Sequence, residues 1–589
     1  MLITTHSLSA DAFLELADGA GDSVVVRQLR EAQLSKHLML LHVVAEAANG
    51  THPLSRATAA FRAGYQLLVE AQAADPSVVA RLLGLPHIGS WAHDCLACLD
   101  KGTPPDFGYL AVVGAAAAVR LGIPFEMEVP VRDGRVPLPG LGCLEAVGQG
   151  EWVRLSCDAE RLIVGGCIDV PCAALVPDDG SGEAVPHWRG TLLARAVADG
   201  QAWEVLLETA DRYLDRYTLP MLTVMSAAEV TNWRRLIQSA WELLVRHHEW
   251  AAGPIAEGVP VIVPLVPRSD LDSATSPAAF GSIATSLPPS PVIMAETLVH
   301  EFQHIKLCAL MDMLPLIEPG DGRGYAPWRD DPRPMGGILQ GVYAFTGIVR
   351  FWDVQRHVET EPDAVLRASV LCERWRLAVE LAVGPLLDQG LLTPDGVRFV
   401  SLLREQGRHI QHGRVPADAA EIAREVALDN WLTWQLTHTA LDASAVAALA
   451  AAYRQGEPAD EQAVPRAWIQ NDVRKIDSIQ RSRLLVMRYQ EPSRYRQLSA
   501  TGDMPGLGLA DALLVRGDAA AAVEAYRVQL AAEPDPAAWI GLALAVHRLS
   551  PMPSQPVFAV HLPLLFEMHA CLADQEICVD PLKLAAWFA

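Results

Sequence analysis

Residues 298–308 read LVHEFQHIKLC and hold His300, Glu301 and His304 in the order HExxH. On a helix, positions i and i+4 lie on one face, so two imidazoles at that spacing can converge on a single metal ion. Glu301, displaced around the axis, then reaches toward a bound water or the metal's surroundings. With 18 histidines and at most 70 glutamates among 589 residues, a chance match has an expectation below roughly 0.07. Val299, Phe302 and Ile305 give the segment apolar faces, and the upstream stretches VPVIVPLV (259–266) and FGSIATSL (280–287) predict strands. The expected element is a helix from about 292 to 314. The plainer alternative is a solvated helix that carries two histidines and a glutamate.

A metal held by two histidines needs a further ligand or an open position, and HExxH is not followed here by HxxGxxH. After a Pro- and Gly-rich loop over 315–337, a helix is predicted from about Gly336, GGILQGVYAFTGIVRFWDVQRH, with Gln340, Tyr343, Asp353 and His357 as candidate ligands. A glutamate would complete one class of zinc peptidase site, but the near part of this helix offers Gln340, a neutral amide and a poor zinc ligand. Iron sites accept other third ligands. The loop YAPWRDDPRPMGG (325–337) sets Arg329 and Arg333 among prolines, where guanidinium forks can meet a carboxylate. The alternative is that both arginines pair with Asp330 or Asp331 to hold the loop. His409 and His412, in HIQH, form a second histidine pair at i, i+3 spacing.

Outward from this centre, residues 8–125 carry helical periodicity, with Leu29, Leu34, Leu38 and Leu41 near helical spacing. Between 124 and 211 the pattern shifts to short strands, FEMEVPV, EWVRLSC and RLIVGGCIDV, separated by Gly, Pro and Asp. Helix returns over 226–250 and from 337 to about 456. Near the end, Gly517, Ala522, Tyr526 and Pro534 fall at the spacings of a tetratricopeptide unit, and about one and a half such repeats are present. The expected fold is α+β and predominantly helical, with a zincin-like metal helix beside a small sheet and a C-terminal tetratricopeptide-like segment. The expected regions are 1–123, helical; 124–225, strand-rich; 226–456, the metal-site domain; and 457–589, helical and repeat-like.

Composition narrows the function. With 70 acidic against 47 basic residues the net charge is −23, which argues against nucleic acid or an anionic membrane as partner. The longest apolar stretch, Leu110–Val119, ends at Arg120, short of the ~18 residues a membrane span needs. The N-terminal residues lack a basic stretch followed by an apolar core, so no secretion by that route is expected. Ten cysteines, Cys95 and Cys98 among them as a CxxC, are too scattered for a disulfide framework. The expected location is cytoplasmic.

Over most of its length the chain resembles the HExxH-motif proteins of bacterial ribosomal-peptide natural-product clusters, described as iron- and 2-oxoglutarate-dependent peptide β-hydroxylases. The resemblance rests on HIGSWAHDCL (87–96), AVVGAAAAVRLGIPF (111–125), RVPLPGLG (135–142), LVHEFQH (298–304), PWRDDPRPMGGILQGVYAF (327–345) with the following FW (351–352), and GDAAAAVEAYRVQLAAEPDPAAW (517–539). The combination of the PWRDDPRP loop with the LQGVYAF helix is much more specific than HExxH alone. The resemblance implies iron(II) on His300 and His304, with 2-oxoglutarate completing the coordination and the β-carbon of a precursor-peptide residue hydroxylated. Glu301 would orient groups or handle a proton, Gln340 would be a third ligand or its partner, and Arg329 or Arg333 would take the cosubstrate's distal carboxylate. A partner modifying enzyme acting on the same precursor is a further option. Two other readings compete: a zinc-dependent peptidase with Glu301 as general base, and a non-catalytic peptide- or partner-binding protein with a structural metal.

Overall fold

The computed structural model describes residues 6–50, 55–145, 148, 150–180, 184–215, 219–268, 272–409, 415–471, 474–476, 479–501, 507–549 and 556–588. It is a mixed α+β chain, predominantly helical with small sheets. The chain divides into two compact units, Met1–Pro315 and Leu316–Ala589. Among the described residues no helix is long and apolar enough to cross a membrane.

The first unit opens with helices α1 (Ala10–Ala17), α2 (Ser23–Gly50), α3 (Arg56–Ala74), α4 (Pro76–Leu83), α5 (Pro86–Asp100) and α6 (Tyr109–Leu121). The Ala-rich run in α6 is a packing device. Every residue from Tyr109 to Val119 is buried, and Gly64 of α3 lies so close that a Cβ there would overlap the backbone at Leu110 and Ala111. Small side chains let the two backbones approach, which a leucine-rich surface would prevent.

Strands follow: β1 (Phe125–Pro130), β2 (Val136–Leu138), β3 (Gly142–Leu144), β4 (Trp152–Cys157), β5 (Arg161–Val164), β6 (Ile168–Pro171) and β7 (Trp188–Gly190). β1, β4, β5 and β6 form an antiparallel sheet in that order, with Phe125 opposite Cys157 and Leu162 opposite Val170. In β1 the alternation works as expected: Phe125, Met127 and Val129 are buried while Glu126 and Glu128 face water. A second sheet begins with the hairpin β8 (Leu192–Ala198) and β9 (Gln201–Leu207), whose turn takes positive φ at Asp199 and Gly200. After α7 (Ala227–His247) and α8 (Glu249–Gly258) come β10 (Val261–Pro264), β11 (Ser273–Ala274) and β12 (Ser282–Thr285). The strand order is β11-β12-β10-β9-β8, with β10 central and parallel to both its neighbours and β11 antiparallel at one edge.

Helix α9 (Pro291–Met313) closes the unit and carries the HExxH residues. Ser290 caps it by accepting from the Ile293 N–H at 3.3 Å, and Pro291 occupies the first turn, where its missing N–H costs nothing. Val299, Phe302 and Ile305 are 2%, 3% and 4% exposed. This is a buried helix beside a small sheet, which removes the solvated-helix alternative.

The second unit contains a short ribbon, β13 (Arg323–Gly324) with β14 (Arg333–Pro334), then α10 (Met335–Val358), α11 (Pro362–Asp388), α12 (Pro394–His409), α13 (Ala417–His438), β15 (Thr439–Ala440), α14 (Ala443–Gln455) and β16 (Trp468–Ile469). It ends with α15 (Ile479–Gln490), α16 (Pro492–Thr501), α17 (Leu509–Arg516), α18 (Ala519–Ala532), α19 (Pro536–Leu549), α20 (Pro556–Ala573) and α21 (Pro581–Trp587). The loop expected over 315–337 therefore contains the ribbon, and its helix starts at Met335. His412 of the HIQH pair lies outside the described residues. The repeat-like positions have structural duties: Gly517, at φ 96°, ends α17, and Tyr526 packs so tightly on Gly541 of α19 that no Cβ fits there. Tyr526 Oη also donates to Asp511 at 2.5 Å.

Candidate functional site

On α9 the His300 and His304 rings lie 4.9 Å apart between centroids and nearly perpendicular, at 79°. This is the i, i+4 juxtaposition the spacing predicted. Burial, with a smaller contribution from His304, pushes His300 down to about 3, so its imidazole is neutral across ordinary pH. A neutral ring is the form that ligates a metal.

Glu301 is 3% exposed. Its Oε1 accepts a hydrogen bond from Ser273 Oγ at 2.7 Å, while its buried Oε2 has no hydrogen-bond partner among the described residues. Burial holds the carboxyl above its ordinary range, against the opposing pull of His304 and the Ser273 and Thr275 hydroxyls. A buried carboxylate oxygen without a partner costs free energy unless a proton, water or cation meets it. That orphaned oxygen, on the residue next to His300, fits a site built to receive such a group.

The rest of α9 is braced. Gln303 Nε2 donates to the Gly19 carbonyl at 2.8 Å, and the buried Lys306 ammonium donates to the carbonyls of Gly19 and Ala20. Phe302 lies against Gly258, where a Cβ would overlap its ring. Gln33 and Lys36 of α2 bind Asp312 at 2.8 and 2.7 Å. Beyond His304, a small apolar recess is lined by Gln33, Thr275, Phe280, Ile305 and Cys308.

A second buried network supports the sheet. His87 Nε2 meets Glu208 Oε2 at 3.1 Å, and Tyr109 Oη donates to Asp211 at 2.5 Å. Ser90 donates to the Tyr213 carbonyl, and Tyr213 Oη donates to Asp106 at 2.8 Å. These bonds fasten α5 and α6 to the segment that follows β9. They give HIGSW (87–91) a role: His87 and Ser90 turn inward to close the network, and Trp91 Nε1 donates to the Asp106 carbonyl at 2.8 Å.

The remaining sequence candidates lie in the second unit. Arg329 and Arg333 both pair with Asp331, at 3.4 and 3.1 Å, and all three side chains are a third or more exposed. Asp353 is engaged by Arg356 at 2.8 Å, and His357 is exposed with Nδ1 on the Asp353 carbonyl. Tyr343 is fully buried against Phe399, and Gln340 is half-buried in α10. The loop bearing the arginines is firmly held. Trp328 lies on Gly341, leaving no room for a Cβ, and stacks on Phe345 at 4.9 Å. Arg323 donates to the Pro332 carbonyl at 3.1 Å, and His438 Nε2 lies 2.7 Å from the Asp330 carbonyl. The PWRDDPRP and LQGVYAF motifs are thus one packed piece, joined through Trp328, Gly341 and Phe345.

Sequence reasoning missed Ser273 and Thr275, since a two-residue strand among serines and threonines has no periodic signal. Lys306 carried a weak one, as the single lysine in a helix with no arginine. Among the described residues no group of three or more His, Cys, Asp or Glu side chains is placed to hold a metal ion. No family model matches the chain, and no curated protein matches it.

Proposed function

We propose that the protein is an iron(II)- and 2-oxoglutarate-dependent hydroxylase that acts on the β-carbon of a residue in a ribosomally made precursor peptide. The observation that carries the metal half of this reading is the paired imidazoles of His300 and His304 beside the buried, half-satisfied carboxyl of Glu301. The oxygenase half rests on the resemblance, supported by the single packed piece that its two most specific motifs form. Bound iron with 2-oxoglutarate and dioxygen would supply the oxidising power, and the cosubstrate would leave as succinate and carbon dioxide.

The chain's own residues have narrower tasks. His300 and His304 would hold the metal through their ring nitrogens. Glu301 holds a proton or orients a water at Oε2, and Ser273 fixes its other oxygen. Arg329 and Arg333 are the candidates for the cosubstrate's distal carboxylate: Arg329 is exposed and Arg333 half-buried, and ion pairs so open to solvent are weak enough to exchange for an incoming carboxylate. Gln340 is the candidate third ligand, or partner to one. These last three residues lie in the second unit and enter the proposal through the resemblance. The same reading takes α9 with its neighbouring sheet as zincin-like, α17 to α19 as a tetratricopeptide-like segment, and the cytoplasm as the location.

One observation favours a second reading. A buried glutamate held above its ordinary range beside two histidines also suits the general base of a zinc peptidase. Products separate the two. Under air with ferrous iron and 2-oxoglutarate, the hydroxylase reading expects succinate well above that made by His300→Ala. Succinate equal to that variant's, with new termini appearing on an unstructured test peptide in the zinc-loaded protein, would replace it with the peptidase.

A further inference from the structure

The four-stranded sheet of the first unit holds two thiols in contact, remote in sequence from HExxH. Cys157 ends β4 and Cys172 directly follows β6, yet their sulfurs are 3.3 Å apart. Strand pairing explains the meeting. Cys157 lies opposite Leu162 of β5, and Arg161 lies opposite Pro171 of β6, so both cysteines flank the turn that joins β4 to β5. That turn is fixed: Asp158 accepts from the N–H groups of Glu160 and Arg161 at 3.0 and 2.8 Å, and Ala159 takes φ 78°. Cys172 N–H donates to the Glu160 carbonyl at 2.8 Å, which holds its side chain against the turn. Cys157 is 5% exposed and Cys172 is half-buried, so Cys172 is the more accessible of the two.

We propose that Cys157 and Cys172 form a reversible disulfide site, oxidised by exchange with a small-molecule disulfide. The Cys172 thiolate attacks one sulfur of that molecule, forming a mixed disulfide and expelling the first small thiol. The Cys157 thiolate then attacks the Cys172 sulfur and expels the second. The two protons lost by the cysteines leave on the two small thiols, the protein pair is oxidised by two electrons, and the small disulfide is reduced by two. Burial and contact with Cys157 push the Cys172 thiol up to about 12, so the exchange is slow at neutral pH. The bridge ties the end of β4 to the end of β6 across the intervening β5, enclosing residues 158–171 in a covalent loop. This inference is independent of the reaction proposed for α9.

The test equilibrates the full chain with oxidised and reduced glutathione at several ratios, alkylates the remaining thiols under denaturing conditions, and maps the peptides by mass spectrometry. Cleavage before aspartate separates Cys157, Cys167 and Cys172, because Asp158 and Asp169 lie between them. The expected product is a Cys157–Cys172 cross-linked peptide, about 2 Da below the sum of the reduced pair. It should vanish on reduction and be missing from Cys172→Ser, a substitution at the half-buried position. Both cysteines alkylated at the most oxidising ratio, glutathione retained on Cys172 without closure, or Cys157 linked to Cys167 instead would overturn the proposal.

Discussion

Replacing Glu208 by glutamine tests whether the buried network behind the second sheet is the brace its geometry implies. Glu208 is 3% exposed, and its Oε1 accepts from the N–H groups of Ala210 and Asp211 at 2.8 and 3.1 Å. Glutamine keeps the shape and can keep those two bonds. It loses the charge and the Oε2 acceptor that meets His87, whose Nδ1 already lacks a hydrogen-bond partner among the described residues. Breaking a buried ion pair from one side costs about 3–5 kcal/mol. At a urea slope of about 2–3 kcal/mol per molar, the unfolding midpoint of the first unit should fall by about 1–2.5 M.

The pH dependence has a defined sign. Burial alone would lower His87, but Glu208 and Asp211 override it and hold the imidazole above its ordinary 6.5. Burial alone would raise Glu208, but His87 and the two backbone N–H groups hold it below its ordinary 4.5. Glu208's share of stability is therefore fully present above 4.5 and lost as pH falls through its depressed value. That of His87 is fully present below 6.5 and lost as pH rises through its raised value. Urea unfolding followed by hydrogen exchange in β9 and β10 across pH should show both limbs in the wild-type protein and flatter limbs in Glu208→Gln. A midpoint unchanged at pH 7, or limbs as steep as before, would show that Glu208 does not brace this sheet.

Three further outcomes are expected. Ser273→Ala removes a hydrogen bond to a buried carboxyl and should destabilise the first unit by about 1.5–3 kcal/mol in urea unfolding, whereas Ser273→Thr, which keeps a hydroxyl, should lose much less. Gly341→Ala forces the Trp328 indole off α10 and should cost about 1–3 kcal/mol, with a shift in tryptophan emission that reports the moved ring. Arg329→Ala and Arg333→Ala should leave stability nearly unchanged, and at least one should raise the 2-oxoglutarate concentration needed for half-maximal succinate formation. If neither does, another cation takes that carboxylate.

Where local pattern and tertiary packing agreed, the fold was legible in the sequence. The apolar positions Val299, Phe302 and Ile305 marked α9. The alternation of FEMEVPV marked β1, and the helical period over 226–250 marked α7, whose Ser226–Glu229 capping box only the structure shows. What escaped depends on partners far away in the chain. Lys306 and Gln303 are buried because the carbonyls of Gly19 and Ala20, more than 280 residues earlier, arrive to bond them. Ser273 matters only because β11 runs at the sheet edge beside α9, and Gly341 because Trp328 folds back onto it. Of the candidate site, the His300, Glu301 and His304 cluster was readable from spacing alone. The Ser273 hydroxyl that holds Glu301 was not, since a hydrogen-bond partner drawn from a short edge strand leaves no period to read.

Iron and 2-oxoglutarate binding at His300 and His304 is tested by anaerobic titration of the metal-free protein with ferrous iron and then 2-oxoglutarate, with zinc as the silent control. The expected result is the visible charge-transfer band of chelated iron and 2-oxoglutarate, present in the wild-type protein and missing from His300→Ala. Iron binding without the band, or binding of zinc alone, would contradict it.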